Sequence, residues 1–559
     1  MTTAMVDETG VRPKGERGRF RGTDPRTRLV QRLVLGACVA LFAGLGLYEA
    51  WADGPTFDEP VYVAAGLQAV LHQDLTMNEE HPPLPKVLSV LPVLFVGPVV
   101  PHDSTPNSND ERSYSARFLQ AQERAGTLRA VTFASRVVVL LESIAVAVLL
   151  YFIARELFGE AAGTVAASLW LLSPLVLGLS HLDAVDPAFA LAVVGWSWVM
   201  LRWTLRPTFP RAAAVGLASA AVVLSDVTGL LIAGLGLVVM LVFGRSLLQM
   251  WGLQQVLVAG ALAWAATWAF YVVLDPRVIL DPTVVLPSPY LEGIRYLAEN
   301  DTQSGPGYLF GVAWTGGRWW YWPGALLVKT VPTTLLVLVV GSIGWRTVDR
   351  PTRRHFFAVV VAPVLLLTTF TLTMPRDIGV RYLLPVIALW LVAGSSIVRC
   401  GRFGSVLGVA AIAVAGVFTI GSVPDSLAWA APPFAPAYRS VTNSDVDWGQ
   451  GLYQLQNWSR GKHPWVAYFG PRGIGQADFP GSRPLIGTPP DRLSGWVAVS
   501  ATNLTSAKRV SLGWLRGYCP VGELAGSILL YRFRVPPAGS IGPPRPAARC
   551  LAAGRWSEP

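Results

Sequence analysis

The chain has 559 residues, 52% of them hydrophobic and only 14% charged, with a formal net charge of +10. A soluble protein of this length would carry nearer to about a quarter charged residues, so an aqueous globular fold is excluded. The positive charge does not mark a nucleic-acid binder, because the basic residues fall in short clusters between apolar runs, where the positive-inside rule puts them.

From the N-terminus, residues 1–28 are polar and Arg-rich and are predicted to be a disordered cytosolic tail. The first apolar run lacks a small-residue cleavage site, which makes it a retained helix rather than a signal peptide. Apolar runs at 31–52, 131–153, 160–180, 184–204, 212–226, 229–244, 254–274, 323–344, 355–374, 380–398 and 403–422 predict about eleven membrane spans. Ser225-Asp226 divides the 212–244 region into two short helices. Alternate connections collect Arg155; Arg202, Arg206 and Arg211; Arg245; Arg346, Arg350, Arg353 and Arg354; and Arg399 and Arg402. This asymmetry places the N-terminus in the cytosol and the C-terminus outside a multi-pass cell-membrane protein.

Three stretches project outward on this topology. Residues 53–130 form a first loop with interfacial helices around 59–71 and 83–98, and residues 275–322 form an aromatic-rich second loop. Residues 424–536 form a small α/β domain, with strands at Trp465–Phe469, Gly495–Ser500 and Ser527–Phe533 and a helix over Gly449–Arg460. Residues 29–423 are then the transmembrane domain, and the Pro-, Gly- and Arg-rich residues 537–559 a loose tail. Of four cysteines, only Cys519 and Cys550 share an oxidising compartment, and no Cys/His spacing resembles a zinc site.

Chemistry-bearing residues cluster on the outward side. In Phe57-Asp58-Glu59-Pro60, a carboxylate beside the bilayer surface suits a general base, while Asp58 ahead of Pro60 equally suits a helix N-cap. In Asn78-Glu79-Glu80-His81-Pro82-Pro83-Leu84-Pro85-Lys86, His81 and Lys86 suit contacts to a phosphate or sugar hydroxyl, against an interfacial turn with a solvated acidic face. The turn His181–Pro187 brings Asp183 and Asp186 to the same compartment, as site residues or as a cap of the next helix. Arg376 and Arg381 open the tenth span, where a guanidinium fork suits a phosphate and the alternative is snorkelling to headgroups. Lys329 is a ligand or a buried charge with a partner. In the tail, Asn443–Gln450 suits carbohydrate or an Asx-turn before a helix.

These motifs together resemble the polyprenyl-phosphate-sugar-dependent membrane glycosyltransferases, the protein O-mannosyltransferase and aminoarabinose-transferase group. The resemblance covers residues 31 to 533 and is specific in the first loop, with Asp58-Glu59 and His81-Pro82-Pro83-Leu84 followed by Lys86, and at Arg381-Tyr382-Leu383-Leu384-Pro385. It implies a C-type glycosyltransferase fold and transfer, with inversion, from a polyprenyl-phosphate sugar to a hydroxyl of protein, lipid or cell-wall glycan. It implies Asp58 as base, with Glu59 and Asp186 shaping the site. Arg381, with Lys86, His81 and Arg376, would bind the donor phosphate; Glu80, Asp183 and Lys329 would contact substrate. No cofactor is implied; a divalent ion is not favoured, because a lipid-phosphate donor lacks the diphosphate that usually requires one. One departure is Asp226-Val227-Thr228-Gly229-Leu230, where many relatives have a Lys before Thr-Gly-Leu. The alternative from another class is a transporter or lipid flippase, for which the inverted repeats are not visible.

Overall fold

The computed structural model describes residues 24–101, 107–244, 251–280, 285–301, 305–505, 507–537 and 557. All eleven apolar segments are helical among the described residues. Seven helices are long and apolar enough to cross a bilayer: α1 (Pro25–Ala52) and those spanning Leu128–Phe158, Val185–Leu205, Gly252–Leu274, Arg350–Leu372, Val380–Arg399 and Gly401–Ser422. An eighth crossing is a pair bent by 59° at Leu172-Ser173, where Pro174 opens the second half. The other three segments are shorter or interrupted. Phe209–Ser225 and Gly229–Gly244 form a hairpin of 17- and 16-residue helices, at the lower limit for a span. The 323–344 segment breaks into Tyr321–Lys329 and Pro332–Gly341, because Pro332 has no N–H and holds its predecessor out of the helical region.

In chain order, the first loop carries α2 (Glu59–His72), α3 (Pro83–Val90) and α4 (Glu111–Ala125) ahead of the long α5 (Leu128–Phe158). The bent pair is α6 (Glu160–Leu171) and α7 (Pro174–Ser180), followed by α8 (Val185–Leu205). The second loop contains the helix Ser288–Asp301 and an antiparallel hairpin, β1 (Pro306–Leu309) and β2 (Val312–Thr315). The tail holds a mixed sheet of β3 (Trp465–Ala467), β4 (Arg483–Pro484), β5 (Gly495–Ser500), β6 (Gly522–Leu524) and β7 (Ile528–Phe533), in the order β4-β3-β5-β7-β6. β3 runs parallel to β4 and β5, and β7 antiparallel to β5 and β6. Cys38 and Cys400 are free and Cys519 is disulfide-bonded; position 550 and most of the expected loose tail lie outside the described residues.

The Arg-rich connections meet at one end of the bundle. There Arg28 and Arg155 face Glu160, Arg202 faces Glu156, His355 reaches Thr204, and Arg354 donates to the Val242 carbonyl. The two loops and the sheet domain cover the other end. The main apolar core joins the helices to the first tail residues, so the sheet domain is packed onto the bundle rather than tethered to it.

Candidate active site

Two neighbouring acids of the first loop have different surroundings. Asp58 stands at the N-cap position of α2, yet its side chain makes no cap hydrogen bond. Its Oδ1 accepts from Arg112 Nη2 at 2.8 Å, and its Oδ2 lies 3.8 Å from Arg381 Nη1. Arg112, on α4, also donates to the Phe57 carbonyl at 2.9 Å and lies 4.4 Å above the Phe57 ring. Burial pushes the Asp58 carboxyl up, but the charges of Arg112 and then Arg381 outweigh it and hold the group below the usual carboxylate range. Glu59 instead pairs with the fully buried Arg136 through two contacts of 2.7 Å and accepts the backbone N–H groups of Thr56 and Asp183. Every Glu59 oxygen is engaged away from the cavity, so the expected catalytic contact of Glu59 is not observed; it is a packing anchor.

Asp186 lies in the first turn of α8, where Ala184 takes the N-cap position, so the cap reading does not hold. Its Oδ2 is buried without a hydrogen-bond partner, 3.6 Å from Arg381 Nη1. Arg381 is 7% exposed. Its Nη2 donates to the Tyr382 hydroxyl at 3.3 Å and its guanidinium lies 4.5 Å from the Trp448 ring. Its Nε and Nη1 are buried and have no hydrogen-bond partner. Both carboxylates near it stand too far away to accept a hydrogen bond, but close enough to stabilise its charge.

These groups open on a cavity of about 780 Å³. Asp58, Asp186, Asp226, Arg112, Arg376 and Arg381 supply its charged inner lining, and Phe189, Leu367, Phe370 and Pro385 an apolar wall. Glu80, His81 and Glu111 line it on the first-loop side, and Trp448, Phe469 and Thr502 on the tail side. Asp226 enters because the short 209–244 hairpin turns within the cavity wall. Its Oδ1 accepts from Thr228 N at 2.8 Å and Thr228 Oγ1 at 2.6 Å.

Of the expected phosphate ligands, Arg381, Arg376 and His81 line the cavity and Lys86 does not. Lys86 Nζ donates to the Asn78 carbonyl at 2.6 Å and braces the acidic turn from behind. His81 is uncharged: burial, then the charges of Lys86 and Arg381, pull its imidazole down to about 3, so it offers a hydrogen bond rather than a cation. Glu80 lines the cavity; burial and then Glu111 push its carboxyl up to about 7. Asp183 and Lys329 lie outside it. Asp183 is 4% exposed and packs against the Glu59 anchor. Lys329 Nζ sits at the break before Pro332 and donates to the carbonyls of Leu427, Trp429 and Asp445.

Arg112 and Asp226 carry no site role in the sequence patterns, and Trp448 enters there only within a segment suited to carbohydrate or to an Asx-turn. Arg112 has no local signal, since its partner is 54 positions away. The departure at Asp226 and the aromatic-acid pattern around Trp448 were visible, but nothing local directs either side chain to Arg381. Among the described residues, no group of three or more His, Cys, Asp or Glu is placed to hold a metal ion.

No family model matches the chain, and no curated protein does. Among solved structures it is similar to ArnT from Cupriavidus metallidurans bound to undecaprenyl phosphate, at 12% identity and TM-score 0.46, over 90% of this chain and 98% of that one. It is similar to the apo state of that protein at 13% identity and TM-score 0.45, with the same coverage. The Archaeoglobus fulgidus oligosaccharyltransferase in complex with Zn and sulfate gives 12% identity and TM-score 0.46, over 88% of this chain and 72% of that one.

Proposed function

We propose that this chain is an integral membrane glycosyltransferase that moves a sugar from a polyprenyl-phosphate donor to a hydroxyl acceptor, with inversion, at the external face. The observation that carries this reading is Arg381. Its Nε and Nη1 are buried without hydrogen-bond partners in the protein, Nη1 lies 3.8 Å from Asp58 and 3.6 Å from Asp186, and the residue lines a cavity that also has an apolar wall. A buried guanidinium whose Nε and Nη1 are not engaged by protein acceptors suits an anionic substrate group, and a phosphate matches the fork. The apolar wall suits the first isoprene units.

In this reading Asp58 takes the proton from the acceptor hydroxyl, whose oxygen attacks the anomeric carbon. The bond from that carbon to the phosphate oxygen breaks, and the phosphate leaves with the electron pair onto the N–H groups of Arg381. Attack opposite the leaving group inverts the anomeric centre. Arg112 keeps Asp58 ionised and oriented. Glu80 and His81 offer hydrogen-bond contacts to sugar or acceptor hydroxyls, and Asp186 and Asp226 balance the Arg381 charge until the phosphate arrives. The Arg-rich end of the bundle supports reading the opposite, cavity end as the external side.

The test is incubation of the purified protein with a panel of polyprenyl-phosphate sugars and acceptor hydroxyls, scoring release of polyprenyl phosphate. Release that depends on Asp58 is expected; no release with any donor would overturn the reading.

A further inference from the structure

The tail lines the cavity with Asn443, Ser444, Trp448, Phe469 and Thr502, and one segment of it, residues 443–450, contacts both halves of the charged lining. Asp445 is 1% exposed. Its Oδ1 accepts the Val380 N–H at 2.8 Å, its Oδ2 accepts the Tyr321 hydroxyl at 2.9 Å, and its carbonyl accepts Lys329 Nζ at 2.8 Å. Val380 is the residue before Arg381, and together they begin the first turn of the tenth span. The neighbouring Ser444 hydroxyl donates to the Ile378 carbonyl. Between these two contacts Gly379 has φ +148, and an added Cβ would lie 2.2 Å from Ser444 Oγ. Only glycine allows the tail to approach this closely.

Three residues further on, the Trp448 ring lies 4.5 Å from the Arg381 guanidinium. The Trp448 carbonyl accepts the Phe57 N–H at 2.8 Å, and the Gln450 carbonyl accepts the Gly54 N–H at 2.8 Å. The Phe57 ring also stacks on Phe469 of the sheet domain, with centroids 5.1 Å apart and planes at 11°. One tail segment thus fixes the backbone next to Asp58 on one side and the backbone and side chain of Arg381 on the other.

We infer that the external domain is a built-in part of the catalytic centre, with Asp445 and Trp448 as positioning residues that set Arg381 against Asp58. This rests on the glycosyltransferase reading and assigns the domain a task within it. Asp445 holds the turn from which Arg381 projects. Trp448 supplies a π-face on one side of the guanidinium, with its ring 4.5 Å away. Neither residue exchanges a proton or bond with substrate.

The experiment is titration of the purified full-length protein in detergent with undecaprenyl phosphate, paired with donor kinetics. Five proteins are compared: wild type, Asp445→Ala, Asp445→Asn, Trp448→Leu and Trp448→Phe. Loss of the Asp445 contacts or of the Trp448 ring is expected to weaken phosphate binding and raise donor KM by about tenfold, with kcat little changed. Asn keeps an acceptor for Val380 and Phe keeps a ring, so both are expected to stay near wild type. A residue that merely stabilised the domain would not give this split between donor KM and kcat, nor the paired rescue. If Asp445→Ala does not fold, the Trp448 pair and Tyr321→Phe carry the test. Wild-type binding with unchanged affinity in Asp445→Ala and Trp448→Leu would overturn the inference and leave the functional reading intact. Failure of the wild type to bind or turn over would overturn both.

Discussion

Arg136 and Arg381 are both buried guanidiniums facing the adjacent acids of the first loop, and they are built in opposite ways. Arg136 is saturated: Nε and Nη2 meet Glu59 at 2.7 Å, and Nη1 and Nη2 donate to the carbonyls of Ala50, Asp53 and Gly54 at 2.7–2.9 Å. Arg381 donates one long hydrogen bond to Tyr382 and leaves Nε and Nη1 unmatched. A saturated buried pair fixes a chain crossing. An unsaturated one costs folding energy and is retained where a ligand completes it. Charge and burial alone do not separate the two; the count of satisfied donors does.

The largest effect is expected where the saturated pair is broken. Arg136→Ala leaves Glu59 buried without its partner and should cost about 3–5 kcal/mol of stability. Thermal unfolding should show this as a large fall in midpoint or a loss of folded protein. A stable variant with normal turnover would show that the Glu59 anchor does not hold the loop.

The second effect falls on chemistry and not on fold. Asp58→Asn should keep the unfolding midpoint close to wild type and lower kcat by at least ~10²-fold, the usual cost of removing a general base. Near-normal turnover would return the search for a base to Asp186, since the oxygens of Glu59 are already engaged.

A smaller effect concerns His81. Its imidazole is pulled down to about 3 in the fold and titrates near ~6.5 when unfolded. The unfolded state therefore binds the extra proton first as pH falls. The stability from keeping His81 neutral is full above about 6.5 and is lost as pH falls toward about 3. Glu80, raised to about 7, acts in the opposite direction, its contribution fading as pH rises from its ordinary range toward that value. The informative quantity is therefore the difference between wild type and His81→Gln. The variant should lose less stability on acidification in that window; parallel melting curves would mean that His81 is charged in the fold.

The same contrast explains what the sequence made legible. Eleven apolar segments were readable because length and hydropathy are local properties, but the 323–344 run, a single span by hydropathy, breaks before Pro332. The first-loop acids stood out because paired carboxylates beside a bilayer are rarely idle. Which of them faces the cavity was not readable, because it depends on Arg112 and Arg136, 54 and 77 positions away from their partners. Lys86 and Lys329 show the same limit. Each is a buried cation in a suggestive motif, yet main-chain carbonyls claim both ammonium groups, that of Asn78 for Lys86 and those of the distant Leu427, Trp429 and Asp445 for Lys329. The place of Trp448 beneath Arg381 was invisible for the same reason, since it follows from how the sheet domain seats on the bundle.

The contrast is decided by a structure of the protein with undecaprenyl phosphate bound. Phosphate oxygens are expected within about 3 Å of Arg381 Nε and Nη1, with the first isoprene units along Phe189, Leu367 and Phe370 and the Arg136 pair unchanged. A phosphate outside this cavity, or inside it with Arg381 still unmatched, would contradict the assignment of Arg381 as the incomplete half of the pair.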